Sequence, residues 1–275
     1  MRSDEGSPTL RVRSADGTQI ASWQTGSGPP LVLVHGTPAD HTRWRPLLPY
    51  LEPHFTVHAI DRRGRGESTD SPHYALEREF EDVAAVVDAV AARTGSAVSV
   101  YGHSHGGFVA FGAAALTPNI DKLVLYEGWP VPDPQVLALP AEVEARMDAL
   151  LAAGERDAVV ELLFRAVEDM SDEDMAAFRA APSWQGRVAA AHTITREIRG
   201  EVASALDEDV ARKITAPALL ITGENSADPA KAASEVVARA LPNARVMVLD
   251  GQEHVADVLD PELFASCVVP FLTNP

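Results

Sequence analysis

The sequence predicts an α/β fold: a mostly parallel, doubly wound sheet of eight strands with a helical block inserted before the last two. Three observations carry that prediction. Short runs that are apolar at every position recur along the chain, helical patterns separate them, and one long interval breaks the alternation. A strand that is apolar throughout is covered on both faces, which is the situation of a parallel sheet.

Taken in order, Leu10-Arg11-Val12-Arg13 and Ile20-Ala21-Ser22-Trp23 flank Asp16-Gly17 and read as a hairpin whose turn needs positive φ. Leu31-Val32-Leu33-Val34 follows a Gly/Pro-rich loop as the first fully apolar strand. Similar runs at 55–60, 97–101, 123–126, 218–222 and 246–249 supply further core strands. Within 77–92, Phe80, Val83, Ala84, Val87 and Val90 recur at the 3–4 spacing of an amphipathic helix. Residues 132–213 hold no convincing strand and instead suggest helices at 141–153, 156–168, 172–180 and 184–199. Ser171 before Asp172, Glu173 and Asp174 is a helix start, with a capping hydroxyl and acids suited to the dipole. The expected division is a core of residues 1–131 and 214–275, interrupted by a helical cap of residues 132–213.

Composition narrows the function classes. The chain has 275 residues, with 23 basic and 40 acidic side chains and a formal net charge of −17. Such a surface repels phosphate backbones and anionic lipids, so neither nucleic acid nor a membrane is expected as a partner. The single cysteine, Cys267, makes no internal disulfide, and no metal-ligand spacing joins the histidines, so no structural metal is expected. Residues 1–6 lack the apolar core of a signal peptide, and no apolar run approaches the ~18 residues of a spanning helix. The expected location is cytoplasmic.

The chemistry concentrates in Val98-Ser99-Val100-Tyr101-Gly102-His103-Ser104-His105-Gly106-Gly107-Phe108. A buried strand runs into Gly-x-Ser-x-Gly and then into a helix of small residues. Turning a strand abruptly into a helix strains the backbone at Ser104, and side chains at Gly102 or Gly106 would collide with neighbouring elements. The turn presents Ser104 at the strand's C-terminal edge. There the His105 amide and the helix dipole face developing negative charge.

With three further motifs in order, the chain resembles the α/β-hydrolase superfamily from about Leu10 to Phe271. His35-Gly36-Thr37-Pro38 is similar to the family's oxyanion loop. Asp61-Arg62-Arg63-Gly64-Arg65-Gly66-Glu67-Ser68 is similar to its Gly-rich turn after the fourth strand. Gly251-Gln252-Glu253-His254 stands where the family keeps its catalytic histidine. The resemblance implies Ser104 as nucleophile, His254 as general base, and the Thr37 and His105 amides as oxyanion donors. It implies no cofactor. His35 reads as a brace for its loop, and Asp61 and Arg65 as holders of their turn.

The triad acid has three candidates. The family often places it three residues after the glycine that ends the seventh strand, but this chain has Ser226 there. Asp228, followed by Pro229, also reads as a helix start, and Glu224 lies near the strand end. Glu127 ends the sixth strand, where a carboxylate closing an apolar run is costly without a partner. Some family members, including certain haloalkane dehalogenases and fungal lactonases, carry their acid at that position. Glu127 is therefore the expected acid, with Asp228 and Glu224 as alternatives.

These residues suggest a serine hydrolase of an ester or lactone, working through an acyl-enzyme on a small to medium organic substrate. Ser104 at the elbow differs from the aspartate that family dehalogenases and epoxide hydrolases use. Acyl transfer, thioester hydrolysis, perhydrolysis, C–C bond hydrolysis and ligand binding without catalysis also occur on this scaffold. Trp44, Trp129 and Trp184 are candidates to line the pocket or to pack in a core.

Overall fold

A computed structural model describes residues 7–168 and 170–274. Eight strands form one sheet: β1 (Leu10–Arg13), β2 (Gln19–Gly26), β3 (Pro30–Val34), β4 (Thr56–Ile60), β5 (Val98–His103), β6 (Ile120–Tyr126), β7 (Ala218–Gly223) and β8 (Ala244–Leu249). Their spatial order is β1-β2-β4-β3-β5-β6-β7-β8. Only the β1–β2 and β2–β4 pairings are antiparallel. The β1–β2 hairpin turns at Gly17, at φ +93°.

The apolar runs are explained by what covers each face. In β3 the strand period of two sends Leu31 and Leu33 to one core and Val32 and Val34 to the other, all four fully buried. One face is covered by α2 (Leu76–Thr94) and α3 (His105–Ala114), with Val237 of the later helix α10 (Asp228–Ala240). The other is covered by Leu51 of the one-turn α1 (Leu48–Leu51) and by Phe264, Ala265, Val268 and Leu272 of the C-terminal α12 (Pro261–Thr273). Each such fully buried side chain contributes about 1.5–3 kcal/mol relative to exposure.

Between β6 and β7 the described residues form helices: α4 (Ala141–Ala152), α5 (Arg156–Glu168), α6 (Asp172–Ala180), α7 (Trp184–Ala189), α8 (Ile194–Val202) and the short α9 (Glu208–Ala211). α4 to α8 share an apolar centre of their own, with Met147, Val159, Val160, Met175, Trp184 and Ile194 buried. Ser171 caps α6 by accepting from the Asp174 amide at 3.1 Å. The single helix expected at 184–199 is instead two, joined by a 3-10 turn at Ala191–Thr193. The break follows from Thr193, whose hydroxyl donates to the Ala190 carbonyl at 2.9 Å and accepts from Arg65 at 2.7 Å. α8 then runs across α2 and α3, placing the helical layer against the C-terminal edge of the sheet. A one-turn helix, α11 (Ala256–Leu259), precedes α12. Among the described residues no helix is long and apolar enough to cross a membrane.

Candidate active site

Ser104 sits between β5 and α3 at φ 54° and ψ −133°. That conformation costs a non-glycine residue on the order of 1–3 kcal/mol. The turn is held by the Ser104 amide donating to Tyr126 O at 2.8 Å and the Gly107 amide to Ser104 O at 2.7 Å. A Cβ at Gly106 would strike the Val34 carbonyl, so the β3 end permits only glycine there. Ser104 is the N-cap of α3 but makes no side-chain capping bond, which leaves its hydroxyl for other work. As the first residue of α3, His105 has an amide with no intrahelical acceptor. The 35–40 loop passes close by: a Cβ on Gly36 would lie 3.3 Å from Ser104 Oγ.

Among the described residues, Ser104 and Glu127 are the two non-glycines at positive φ. Glu127, at φ 44°, leaves β6 and places Oε2 2.7 Å from His254 Nδ1. Its other oxygen accepts from the Gly223 amide at 2.8 Å and from the Ser226 hydroxyl. Burial pushes this carboxyl up, but His254, Ser226 and the Gly223 amide together hold it below the usual carboxylate range. An ionised carboxylate bonded to Nδ1 fixes the imidazole with its proton on that nitrogen, leaving the lone pair on Nε2. The His254 side chain stays 27% exposed against 6% for Glu127, so the imidazole is accessible and the carboxylate stands behind it.

The other candidates fall elsewhere. Glu224 accepts from the Gly251 amide at 2.8 Å and braces the segment leading to His254. The Asp228 side chain lies outside the described part of the structure. Ser226, standing where the acid is more often found, donates to Glu127 instead.

The histidines flanking Ser104 diverge. His103 Nε2 donates to the His254 carbonyl at 2.7 Å, and the two rings lie 4.7 Å apart. Burial, with the charges of Arg43 and His254, holds His103 well below the usual imidazole range, so it braces as a neutral donor. His105 points the other way, to Glu201 at 2.6 Å and Glu79 at 3.4 Å. Burial and Arg62 push its pKa down, but Glu201 and Glu197 prevail and raise it to about 9.

Residues 29–261 match the family described as alpha/beta hydrolase fold. The chain belongs to that family. It is 28% identical over 282 residues to a 2-(acetamidomethylene)succinate hydrolase of Mesorhizobium japonicum, covering 98% of this chain and 94% of that protein. The crystal structure of an alpha/beta hydrolase from Sphaerobacter thermophilus superposes with a TM-score of 0.81 at 36% identity, covering 96% of this chain and all of that one. An enol-lactonase from Burkholderia xenovorans, 22% identical, shares the fold at a TM-score of 0.71, covering 96% of this chain and 100% of that one.

Within this alpha/beta hydrolase, His35 braces its loop, with Nδ1 on Gly36 O at 2.9 Å and Nε2 accepting from the Arg62 amide at 3.2 Å. Asp61 holds its turn through the Glu67 and His41 amides at 2.8 and 2.9 Å. Arg65 holds that turn only through its carbonyl, which accepts from the Ser68 amide at 3.0 Å, and not through its side chain. That side chain runs inward to Thr193 and Glu197, since the buried carboxylate of the turn, Asp61, is already taken up by the His41 and Glu67 amides. Trp44, Trp129 and Trp184 are each no more than 5% exposed and pack in apolar cores, with Trp184 Nε1 donating to Asp157 at 2.7 Å.

Glu197 was not foreseeable from any motif. Its carboxylate, 1% exposed, accepts from Arg62 at 2.9 Å, from Arg65, and from the Thr37 hydroxyl. Burial works against ionisation, but Arg62, Arg65 and His105 hold Glu197 well below the usual range. One helical residue thereby ties the 35–40 loop to the Gly-rich turn. Glu79, His105 and Glu197 bring ligand atoms within 4.8 Å of one another, a spacing that suits a cation. Arg62 already bonds both carboxylates, so guanidinium supplies the positive charge a metal would bring.

Proposed function

We propose that this protein is a serine hydrolase of an ester or lactone that works without a cofactor. The observation that carries the reading is the strained elbow at Ser104 together with the strained Glu127, hydrogen-bonded to His254 Nδ1 at 2.7 Å. Ser104 Oγ attacks the acyl carbonyl as His254 Nε2 takes its proton. Glu127 keeps the other ring proton on Nδ1 and offsets the charge of the imidazolium that forms. The Thr37 and His105 amides donate to the tetrahedral oxyanion, where one such donor contributes about 2.7–4 kcal/mol. The leaving group takes the proton from His254, and a water deprotonated by the same nitrogen releases the acyl-enzyme.

The named relatives fit this reading, since hydrolases and an enol-lactonase are built on the same fold. The test is Ser104→Ala assayed on p-nitrophenyl butyrate, with an expected loss in turnover of about 10⁶-fold. A fluorophosphonate should label the unaltered protein at Ser104 and leave the variant unlabelled. Undiminished hydrolysis by Ser104→Ala overturns the proposal.

A further inference from the structure

Most buried arginines in this molecule hold a carboxylate. Arg62 pairs with Glu79 and Glu197, Arg63 with Asp82 and Asp16, and Arg43 with Asp257 at 2.7 Å. Arg187 of α7 differs. Among the described residues it pairs with no acid, and its Nε is cut off from solvent without an acceptor. Its guanidinium instead lies against two aromatic rings, 4.9 Å from the centre of Phe178 and 5.5 Å from that of Phe164. Ring faces attract a cation but accept none of its N–H bonds in the manner of a carboxylate.

The position of this charge is informative. α7 packs on the residue that closes the 35–40 loop, since a Cβ at Gly186 would strike Asp40 Oδ2. Asp40 is engaged locally, accepting from the Thr42 amide at 2.9 Å and the Thr42 hydroxyl at 2.5 Å. The charge of Arg187 acts on Arg43, on Asp40 and on His103, which adjoins Ser104 in the chain and donates to the His254 carbonyl. Burial and Arg43 lower the Arg187 pKa to about 10, so it remains cationic at neutral pH. On a chain of net charge −17, whose overall field repels anions, a cation with no ion-pair partner among the described residues, on the helix packed against Asp40 of the 35–40 loop, is a local reversal of sign.

We infer that Arg187 is an anion-binding subsite for a carboxylate carried by the substrate, so that the preferred esters or lactones bear a free carboxylate on their acyl or their alcohol part. The inference rests on the hydrolase reading and narrows its substrate class. The guanidinium fork takes both carboxylate oxygens, and the aromatic rings hold its plane in place.

The experiment compares mono-p-nitrophenyl glutarate with its neutral methyl ester, and adds 4-carboxyphenyl butyrate, which carries the charge on the leaving group. The unaltered enzyme should favour one anionic ester over the neutral one by about 10–100-fold in kcat/KM, as expected for charge-assisted bidentate bonding. Which anionic ester is favoured assigns the carboxylate to the acyl or the alcohol side. Arg187→Met should collapse that ratio towards one, and Arg187→Lys should restore part of it. Glutarate itself should inhibit competitively, and more weakly in Arg187→Met. No anionic preference in the unaltered enzyme, or an unchanged ratio in Arg187→Met, overturns the inference. Ser104-dependent turnover of the neutral ester in that event leaves the hydrolase reading standing. If Ser104 is needed for none of the three esters, the hydrolase reading itself fails.

Discussion

Replacing Glu127 by glutamine keeps the side chain's size and removes its charge, and the hydrogen bonds around it dictate the outcome. The carboxylate accepts three bonds, from His254 Nδ1 at 2.7 Å, the Gly223 amide at 2.8 Å and the Ser226 hydroxyl. A glutamine can point its oxygen at His254 or at Gly223, but not at both. If the oxygen faces His254, the amide NH₂ meets the Gly223 N–H, and a buried donor loses its acceptor at a cost of about 1–3 kcal/mol. If the oxygen stays with Gly223, the NH₂ faces Nδ1, and the imidazole must carry its proton on Nε2. A protonated Nε2 cannot accept the Ser104 proton.

The second arrangement is favoured because two donors, Gly223 and Ser226, converge on one oxygen. Glu127→Gln should therefore lower kcat by about 10⁴-fold, as tautomer disruption does in such triads. That corresponds to about 5.4 kcal/mol at ~1.36 kcal/mol per decade. Steady-state hydrolysis of p-nitrophenyl acetate from pH 5 to 9 measures it, with circular dichroism to establish folding. Raising the pH should recover little activity, because the defect is a misplaced proton rather than an untitrated acid. A folded Glu127→Gln enzyme within tenfold of the parent would refute this assignment of the acid. A much larger loss in Asp228→Asn would locate the acid after β7 instead.

Three more outcomes follow from the same geometry. Ser226→Ala removes one donor from Glu127 and loosens the hold on its carboxylate, which should lower kcat by about tenfold; an unchanged kcat counts against the contact. Glu197→Gln leaves Arg62 and Arg65 short of a buried carboxylate, and urea unfolding should record a loss of about 3–5 kcal/mol, with a loss under about 1 kcal/mol counting against the network. His105 is raised from about 6.5 when unfolded to about 9 when folded, so its contribution to stability is complete below about pH 6.5 and is lost as pH rises through 9. The melting temperature should accordingly fall across that window in the parent protein and fall less in His105→Gln.

What the sequence discloses and what it hides separate along a physical line. The β3 run was legible because Leu31, Val32, Leu33 and Val34 must each be apolar when both faces of a strand are covered. The elbow was legible because its glycines answer a local steric demand, such as the Val34 carbonyl pressing on Gly106. Glu127 was legible for a third reason: a carboxylate at the end of a buried strand needs a partner wherever that partner comes from. The break in the 184–199 helix and the inward turn of Arg65 were not legible, because both depend on the Arg65–Thr193 bond across 128 positions. Glu197 is the extreme case. It stands at an ordinary polar position of an amphipathic helix until α8 docks and Arg62, 135 residues earlier, meets it in the interior. Motifs record the demands of adjacent backbone, whereas charges buried between distant elements record only the docking itself. The strained elbow and the Glu127–His254 contact are therefore readable from sequence, but the arginine and glutamate contacts through which the helical layer grips the core emerge only once that layer is in place.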